Sequence, residues 1–298
     1  LVVGAGPAGL EAARVLGEQG HQVLLAEAQR TLGGRVTREA KLHGLSEWAR
    51  VRDWRVGQIS KLPNVEVFLE SRMQAEDVFE LDVDHVLVAT GACWADDAVG
   101  RYSAHGFSTV DSNMILNAET VLDGTKLSAG KIAIYDDDHY YMGSVLALEL
   151  RRRGHDVILI TPAGRICEWG SLTDEQNSSN RALAEAGVQM ITNRNIDHVW
   201  DQKLGMSCVL SDSKSEISCN AIIPLTRRIP VLELYNDLKL DQNSSTASTL
   251  KSVKRIGDAE APSIIAAAVS SGYRAGIDLG KDIDQAKIYG KREHPSFD

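Results

Sequence analysis

The chain has 298 residues, enough for about two domains of ordinary size. Its composition, 43% hydrophobic and 24% charged, is that expected of a soluble globular protein, and no apolar run reaches the ~20 residues of a membrane-spanning helix. A net charge of −9 argues against a nucleic-acid surface, which needs cationic patches, and the scattered Cys93, Cys167, Cys208 and Cys219 contain no C-x-x-C pair, so they read as ordinary thiols of a reducing cytoplasm.

Leu1-Val2-Val3 runs straight into Gly4-Ala5-Gly6-Pro7-Ala8-Gly9. This is a strand feeding a dinucleotide-binding loop. Gly4 makes the turn, Gly6 admits a pyrophosphate to the backbone, and Gly9 lets the next helix pack close to the sheet. That helix is predicted over 8–19 and stops at Gly20. Its N-terminus, from Pro7-Ala8, offers N–H groups and the positive dipole end to a phosphate. A second strand over 22–26 ends at Glu27, a carboxylate suited to accept from adenosine ribose hydroxyls and to repel a 2′-phosphate. The opening strand is short of the usual ~5–6 residues, so the native polypeptide is expected to be longer on this side.

Leu32-Gly33-Gly34-Arg35 reads as a further turn of close backbone approach. The spacing predicts a helix over 45–61 with Trp48, Trp54, Ile59 and Leu62 as its apolar positions. Arg50, Arg52 and Arg55 read as a solvated or interdomain face from which one side chain could reach a phosphate. Strands over 64–69 and 85–89, the second closing with Thr90-Gly91, complete a βα-rich unit. Residues 93–130 read as an irregular polar crossover.

A second strand–loop–helix unit follows, with a strand over 131–135, a helix over 144–153 and a strand over 156–160. Arg151, Arg152 and Arg153 complement the helix C-terminus rather than clamp an NADP phosphate. The loop itself, Asp136-Asp137-Asp138-His139-Tyr140-Tyr141-Met142-Gly143, lacks the glycine pattern and sets three carboxylates where a pyrophosphate would lie. One like-charge pair at ~4 Å costs about 4 kcal/mol at an effective dielectric of 20. A helix terminus returns only ~0.3–1 kcal/mol. NAD(P)H is therefore expected not to bind here. A metal on Asp136, Asp138 and His139 is conceivable, but acids beside a helix N-terminus are favoured without one, and no metal is expected.

Beyond this loop come a helix over 180–186, a strand over 188–192, a small meander including 208–210 and 216–218, and a return strand over 221–225 whose Pro224 suits an edge. Residues 243–249 form a Ser/Thr-rich loop. A strand over 253–258 ends in Gly257-Asp258 and a helix over 263–275 closes the chain, returning to the first sheet. The expected fold class is α/β, with two Rossmann-like domains of the glutathione-reductase type, the second inserted into the first. Residues 1–110 and 246–298 are expected to form the discontinuous nucleotide-binding domain, to which the resemblance below assigns FAD or ADP, and 111–245 a degenerate NAD(P)-binding-like domain. No Ser–His–Asp or activated-cysteine arrangement is visible, Cys93 reads as structural, and no catalytic residue is expected within the chain.

Together, GAGPAG at 4–9, Glu27, LGGR at 32–35, GLSEWARVRDW at 44–54, ATG at 89–91, DDDHYYMG at 136–143 and IGDAEAP at 256–262 resemble the C-terminal nucleotide-binding region of the trimethylamine dehydrogenase family. That family includes bacterial N-demethylases acting on dimethylglycine or N-methylproline, and more distantly 2,4-dienoyl-CoA reductase. The resemblance covers essentially the whole chain. It implies an oxidoreductase carrying out oxidative N-demethylation or amine dehydrogenation, with FMN and [4Fe–4S] in a preceding barrel, fused or separate. It also implies an electron-transfer flavoprotein as acceptor, a homo-oligomer, a cytoplasmic setting, and FAD or ADP in this region. It implies roles for Gly4, Ala5, Gly6, Pro7, Ala8 and Gly9 at the phosphates, Glu27 at the ribose, Gly34 and Arg35 beside the pyrophosphate, Met73 at the adenine, Thr90 and Gly91 at the strand end, and Asp258 near a ribitol. The stretch 224–228 departs from the family's smoother apolar strand. Two other readings stand beside this one: a free-standing flavin-dependent NAD(P)H oxidoreductase, and a non-catalytic module that holds ADP.

Overall fold

The structure, a computed structural model, describes residues 1–109, 112–128, 130–242 and 250–280. The Ser/Thr-rich stretch 243–249 lies outside the described residues. In chain order, Val2–Val3 (β1) leads through the glycine loop into Pro7–Glu18 (α1) and Val23–Ala26 (β2). Arg35–Glu39 (α2), Ala49–Ile59 (α3), Val65–Phe68 (β3), Ala75–Glu80 (α4) and His85–Val88 (β4) follow. The helix expected over 45–61 is shorter because Ser46–Trp48 forms a 3₁₀ turn ahead of it. Trp54 is half exposed rather than core, lying between the Arg14 and Arg55 guanidinium groups at 5.3 and 5.5 Å.

The stretch 93–130 carries more structure than its polarity suggests: Ala92–Trp94 (β5), Ser108–Thr109 (β6) and Ala118–Leu122 (α5), the last capped by Asn117, whose side chain accepts from the Glu119 N–H. Lys131–Asp136 (β7), Tyr141–Arg152 (α6), Asp156–Ile160 (β8), Gln176–Glu185 (α7) and Gln189–Ile191 (β9) come next. The meander is Arg194–Trp200 (β10), Lys203–Cys208 (β11) and Lys214–Ser218 (β12). A register shift between Ile196 and His198 breaks the alternation of β10 and hides it from the pattern. Ala221–Leu225 (β13), Arg228–Pro230 (β14), Glu233–Gln242 (α8), Ser252–Arg255 (β15) and Ile265–Asp278 (α9) end the described chain. Among the described residues no helix is long and apolar enough to cross a membrane.

Two compact units share the chain. The first takes Leu1–Gly33, Asp53–Thr90 and the described residues from Leu232 onward; the second takes Gly34–Arg52 and Gly91–Val231. The second is thus inserted into the first. The division runs at 33/34, 52/53, 90/91 and 231/232, where the sequence reading has 110/111 and 245/246.

The first unit is a parallel sheet in the order β15-β4-β1-β2-β3, so the last strand returns beside β4. Both faces are buried, as a parallel sheet requires. Val2, Leu25 and Leu87 join Leu10 and Leu16 of α1 on one face, while Val3, Val86, Val88 and Val253 join Val78 of α4 and Leu238 of α8 on the other. The second unit repeats this with the parallel order β13-β7-β8-β9. Ile132 and Ile134 of β7 face one cluster with Leu146 and Leu159, and Ala133 and Tyr135 face another with Ile158 and Ile222. β13 is the edge strand, so Pro224 breaks no central ladder. The departing stretch 224–228 is where the chain leaves β13 and enters β14, which pairs antiparallel with β5.

Candidate nucleotide site

The first loop is shaped by what a side chain would strike. Gly4 sits at φ +98°, a left-handed conformation that L side chains avoid, and a Cβ there would collide with the Ala89 carbonyl. A Cβ on Gly9 would collide with the Gly4 carbonyl, so this glycine sets how closely α1 lies on the turn. A Cβ on Gly6 would meet nothing within 4 Å. Gly6 is the N-cap of α1, no side chain caps it, Pro7 takes the first helical position, and no acidic residue lies in the first turn. The N–H groups and positive dipole end of α1 are therefore not neutralised by a side chain of the helix.

Glu27 is buried at the end of β2. Its Oε2 accepts from the Ala5 N–H and its Oε1 from the Gln29 N–H, both at 2.8 Å. These bonds fix the carboxylate against the loop, and each oxygen retains a lone pair for a hydroxyl donor. The Ala5 carbonyl accepts from the Gly33 N–H at 2.8 Å, so the loop is tied on two sides. Asp258 stands in the 3₁₀ turn Gly257–Ala259, where its Oδ1 accepts from the Ser263 N–H at 3.1 Å. This turn comes close to the loop: a Cβ on Gly257 would lie 2.5 Å from the Ala8 Cβ, and one on Gly272 of α9 would strike the Ala8 backbone. Met73 is half-buried against the Val3, Ala75 and Val78 cluster, just before the Gln74–Asp77 capping box of α4, and Thr90 is half-buried past β4. The structure thus brings Gly4–Gly9, Glu27 and Gly257-Asp258 together within the first unit.

Gly34, Arg35 and Gly91 belong to the second unit. There the Arg35 guanidinium bonds the Glu119 carboxylate at 2.7 Å and the Ala92 carbonyl at 2.8 Å. Arg38 holds the other Glu119 oxygen at 2.8 Å. Burial works to raise Glu119, but Arg35, the Trp94 amide and Arg38 outweigh it and hold the carboxyl below its ordinary range. Glu39 goes the other way: burial dominates Arg35 and the Tyr141 hydroxyl bond and raises it. Of the expected arginine face, Arg55 turns inward to the buried Glu11 at 2.7 Å, which Arg14 also pairs at 2.6 Å, while Arg50 pairs with Glu47 in solvent. The Glu11–Arg14 spacing is legible in the sequence; the Arg55 partner, 44 residues on, is not.

The second loop differs from its sequence reading in one respect. Asp136 and Asp137 do not face outward; both are fully buried, and His139 is 5% exposed with φ +66°. Asp136 Oδ1 accepts from the Asp138 and His139 N–H groups at 3.2 and 3.0 Å. Asp137 Oδ1 lies 3.1 Å from His139 Nε2, and Oδ2 accepts from the Tyr102 N–H at 3.0 Å. The loop's own amides take one oxygen of Asp136, and the Tyr102 amide and the His139 imidazole face Asp137, so both carboxylates are turned into the protein and away from where a pyrophosphate would lie. Large side chains, Tyr140 and Tyr141, meet edge to face at 5.0 Å where the first loop has glycine and proline. Among the described residues no group of three His, Cys, Asp or Glu side chains could hold a metal, and no disulfide joins the four cysteines.

Most of the chain is similar to known proteins. Residues 1–272 match the pyridine nucleotide-disulphide oxidoreductase family. The chain is 30% identical to dimethylamine dehydrogenase of Hyphomicrobium sp. (strain x) over 311 aligned positions, spanning 96% of this chain and 42% of that protein. Histamine dehydrogenase from Rhizobium sp. 4-9 is 40% identical and superposes with a TM-score of 0.92 over 95% of this chain and 44% of its own. A 6-hydroxypseudooxynicotine amine oxidase from Pseudomonas geniculata N1 is 37% identical, with a TM-score of 0.90 over 94% of this chain and 41% of its own. The chain therefore spans about two-fifths of the length of these relatives. A thioredoxin reductase from T. acidophilum, 16% identical with a TM-score of 0.58, shares the fold alone.

Proposed function

The chain belongs to the pyridine nucleotide-disulphide oxidoreductase family, and from that premise we propose that its first unit holds FAD, or ADP in its place, as the nucleotide-binding region of a larger amine dehydrogenase or N-demethylase. The observation that carries this reading is the N-terminus of α1: uncapped by any side chain, free of acids in its first turn, and fronted by a glycine that opens onto empty space. Gly4, Gly6 and Gly9 with Pro7 and Ala8 would receive the pyrophosphate. Glu27, already oriented by the Ala5 amide, would accept from the ribose. A 2′-phosphate would meet that buried carboxylate, so the nucleotide is one without a 2′-phosphate. FAD, when bound, supplies a redox-active ring; ADP supplies none. Asp258 would bond the ribitol hydroxyls of FAD.

The chemistry of amine oxidation belongs, in this reading, to an FMN and iron–sulfur barrel outside these residues, with an electron-transfer flavoprotein as acceptor. The similarity to dimethylamine and histamine dehydrogenases supports it. The second unit takes no NAD(P)H, because its loop has bulk where the first has glycine. A reducing, cytoplasmic setting fits four cysteines without a disulfide.

The test is to denature the purified protein and identify the released nucleotide by mass spectrometry. FAD or ADP in near-equal proportion to protein is expected. A yellow protein reduced directly by NADH would favour a free-standing reductase instead, and NADP-type nucleotides in the supernatant would overturn the role of Glu27.

A further inference from the structure

In the second unit four non-glycine residues, Ala98, His139, Cys167 and Asp174, hold left-handed φ values of +55°, +66°, +52° and +60° in segments that meet at one buried ionisable cluster. Such strain persists only where neighbours over-determine it. The turn between β7 and α6 supplies those neighbours. The Asp137 carboxylate takes the Tyr102 N–H at 3.0 Å and so grips segment 98–106. The His139 carbonyl takes the Trp169 N–H at 3.0 Å and so grips segment 167–174. The Asp137 and Asp138 N–H groups both donate to the Leu225 carbonyl, anchoring the turn to the sheet. The His139 ring lies 6.1 Å from both the Tyr102 and the Trp169 rings, and Arg101 stacks over Trp169 at 4.0 Å.

At the centre the polar atoms are not all matched. Asp136 is fully buried, and its Oδ2, beside Gly143, has no hydrogen-bond partner among the described residues. The Thr226 hydroxyl behind Asp137 is likewise buried and unmatched. The groups facing the cluster are Tyr135 of β7, Thr161 after β8, Cys167 from the 167–174 segment, Tyr102 and Arg101 from the 98–106 segment, and Arg228 from β14; the two cations act on Asp138, and Arg101 also on His139.

We propose that this turn is a proton-held latch: with its protons in place it binds segments 98–106 and 167–174 down, and losing them above neutral pH frees both. Burial pushes Asp136 up to about 7, with the Asp138 charge adding to it. Burial also raises Asp138. For His139 burial opposes the charge, but the Asp137 hydrogen bond and the Asp136 and Asp137 charges outweigh it and raise it above its ordinary value. All three move upward on folding, so the sign is common to them. The stability they contribute is full below their unfolded values of about 3.9 and about 6.5. It is lost as pH rises through the folded values, close to neutrality for Asp136. The latch stands on the second unit alone and does not depend on which nucleotide the first unit holds.

Hydrogen exchange read by mass spectrometry on the full chain, at about pH 6 and about pH 8.5 and corrected for intrinsic rates, tests it. In the wild type, peptides over 98–106 and 167–174 should lose protection at least about tenfold, the factor that one displaced pKa unit supplies, while β8 does not change. Asp136→Asn, an uncharged isostere that keeps the acceptor, should hold both segments at either pH. His139→Gln should leave both segments poorly protected at either pH. Wild-type protection that ignores pH overturns the latch whether or not the variants fold, and so does an Asp136→Asn protein that keeps the full wild-type response.

Discussion

The two strand–loop–helix turns of this chain share a frame and use it in opposite ways. Gly9 and Gly143 each stand third in their helix, and each exists because something lies too close for a Cβ. Under Gly9 it is the backbone carbonyl of Gly4; under Gly143 it is the side chain of Asp136. The residue just before the helix is Gly6 in one, opening onto space, and Tyr140 in the other, edge to face with Tyr141. Neither helix has a side-chain cap. The first turn therefore faces its positive end outward, while the second has taken carboxylates into its own interior. The two turns share the order of strand, loop and helix and differ in which atom packs beneath the third helical residue.

The largest break in this comparison should come from Gly6→Val. A branched side chain fills the open space and keeps a pyrophosphate from the backbone. Nucleotide retained through purification should fall at least about tenfold, equivalent to at least about 1.4 kcal/mol of binding. Unchanged stoichiometry would mean that the open face of Gly6 is not the phosphate site.

Next in size is a pair of stability measurements. Gly9→Ala sets a methyl against a backbone carbonyl that cannot step aside and should cost about 3 kcal/mol. Gly143→Ala sets one against a carboxylate at 2.6 Å that can shift, at the expense of its amide bonds, and should cost about 1–2 kcal/mol. Urea melts of the two variants decide it; equal costs would say that Asp136 is held as rigidly as the backbone.

Smaller again is the titration of NADH and NADPH into nucleotide-loaded protein. No saturable heat is expected up to about 1 mM, a binding energy weaker than about 4 kcal/mol. Micromolar binding would mean that the closed turn opens to a ligand.

How much of this could be read from the sequence depends on how local the determinant is. The apolar run ending β7, the loop Gly4–Gly9 and the acid at Glu27 are set by neighbours a few residues away, and the pattern carries them. The edge position of Pro224 follows from proline having no N–H. The illegible part is long-range. The resemblance puts Arg35 beside the pyrophosphate, and nothing local announces its carboxylate partner Glu119, 84 residues on. Trp54 reads as core until two arginines are seen to flank it. Asp136 to Asp138 read as outward charge because nothing local announces that the Tyr102 N–H, 35 residues away, will donate to the Asp137 carboxylate. A sequence shows that charges exist; only the fold shows what neutralises them.

The finest comparison is between FAD and ADP in the first unit, and Asp258 is where it can be sharpened. ADP ends at the pyrophosphate, so the glycine loop and Glu27 suffice for it. FAD continues into a polyhydroxyl chain that gains from an acid beside the loop, and the 3₁₀ turn puts Asp258 next to Ala8 through Gly257. The Asp258 carboxylate also takes the Ser263 N–H, so it is oriented before any ligand arrives. Asp258→Asn keeps an acceptor for Ser263 and controls for the local fold, while Asp258→Ala removes both. If FAD is held, Asp258→Ala should weaken retention by about 1.5–3 kcal/mol, the worth of one hydrogen bond to a charged group, and Asp258→Asn by less. If ADP is held, both variants should retain it as the wild type does, and the protein should be colourless throughout. Flavin absorbance of the released fraction separates the two cases without reference to activity. A coloured protein whose flavin ignores both substitutions would leave the ribitol contact to other residues and remove Asp258 from the site.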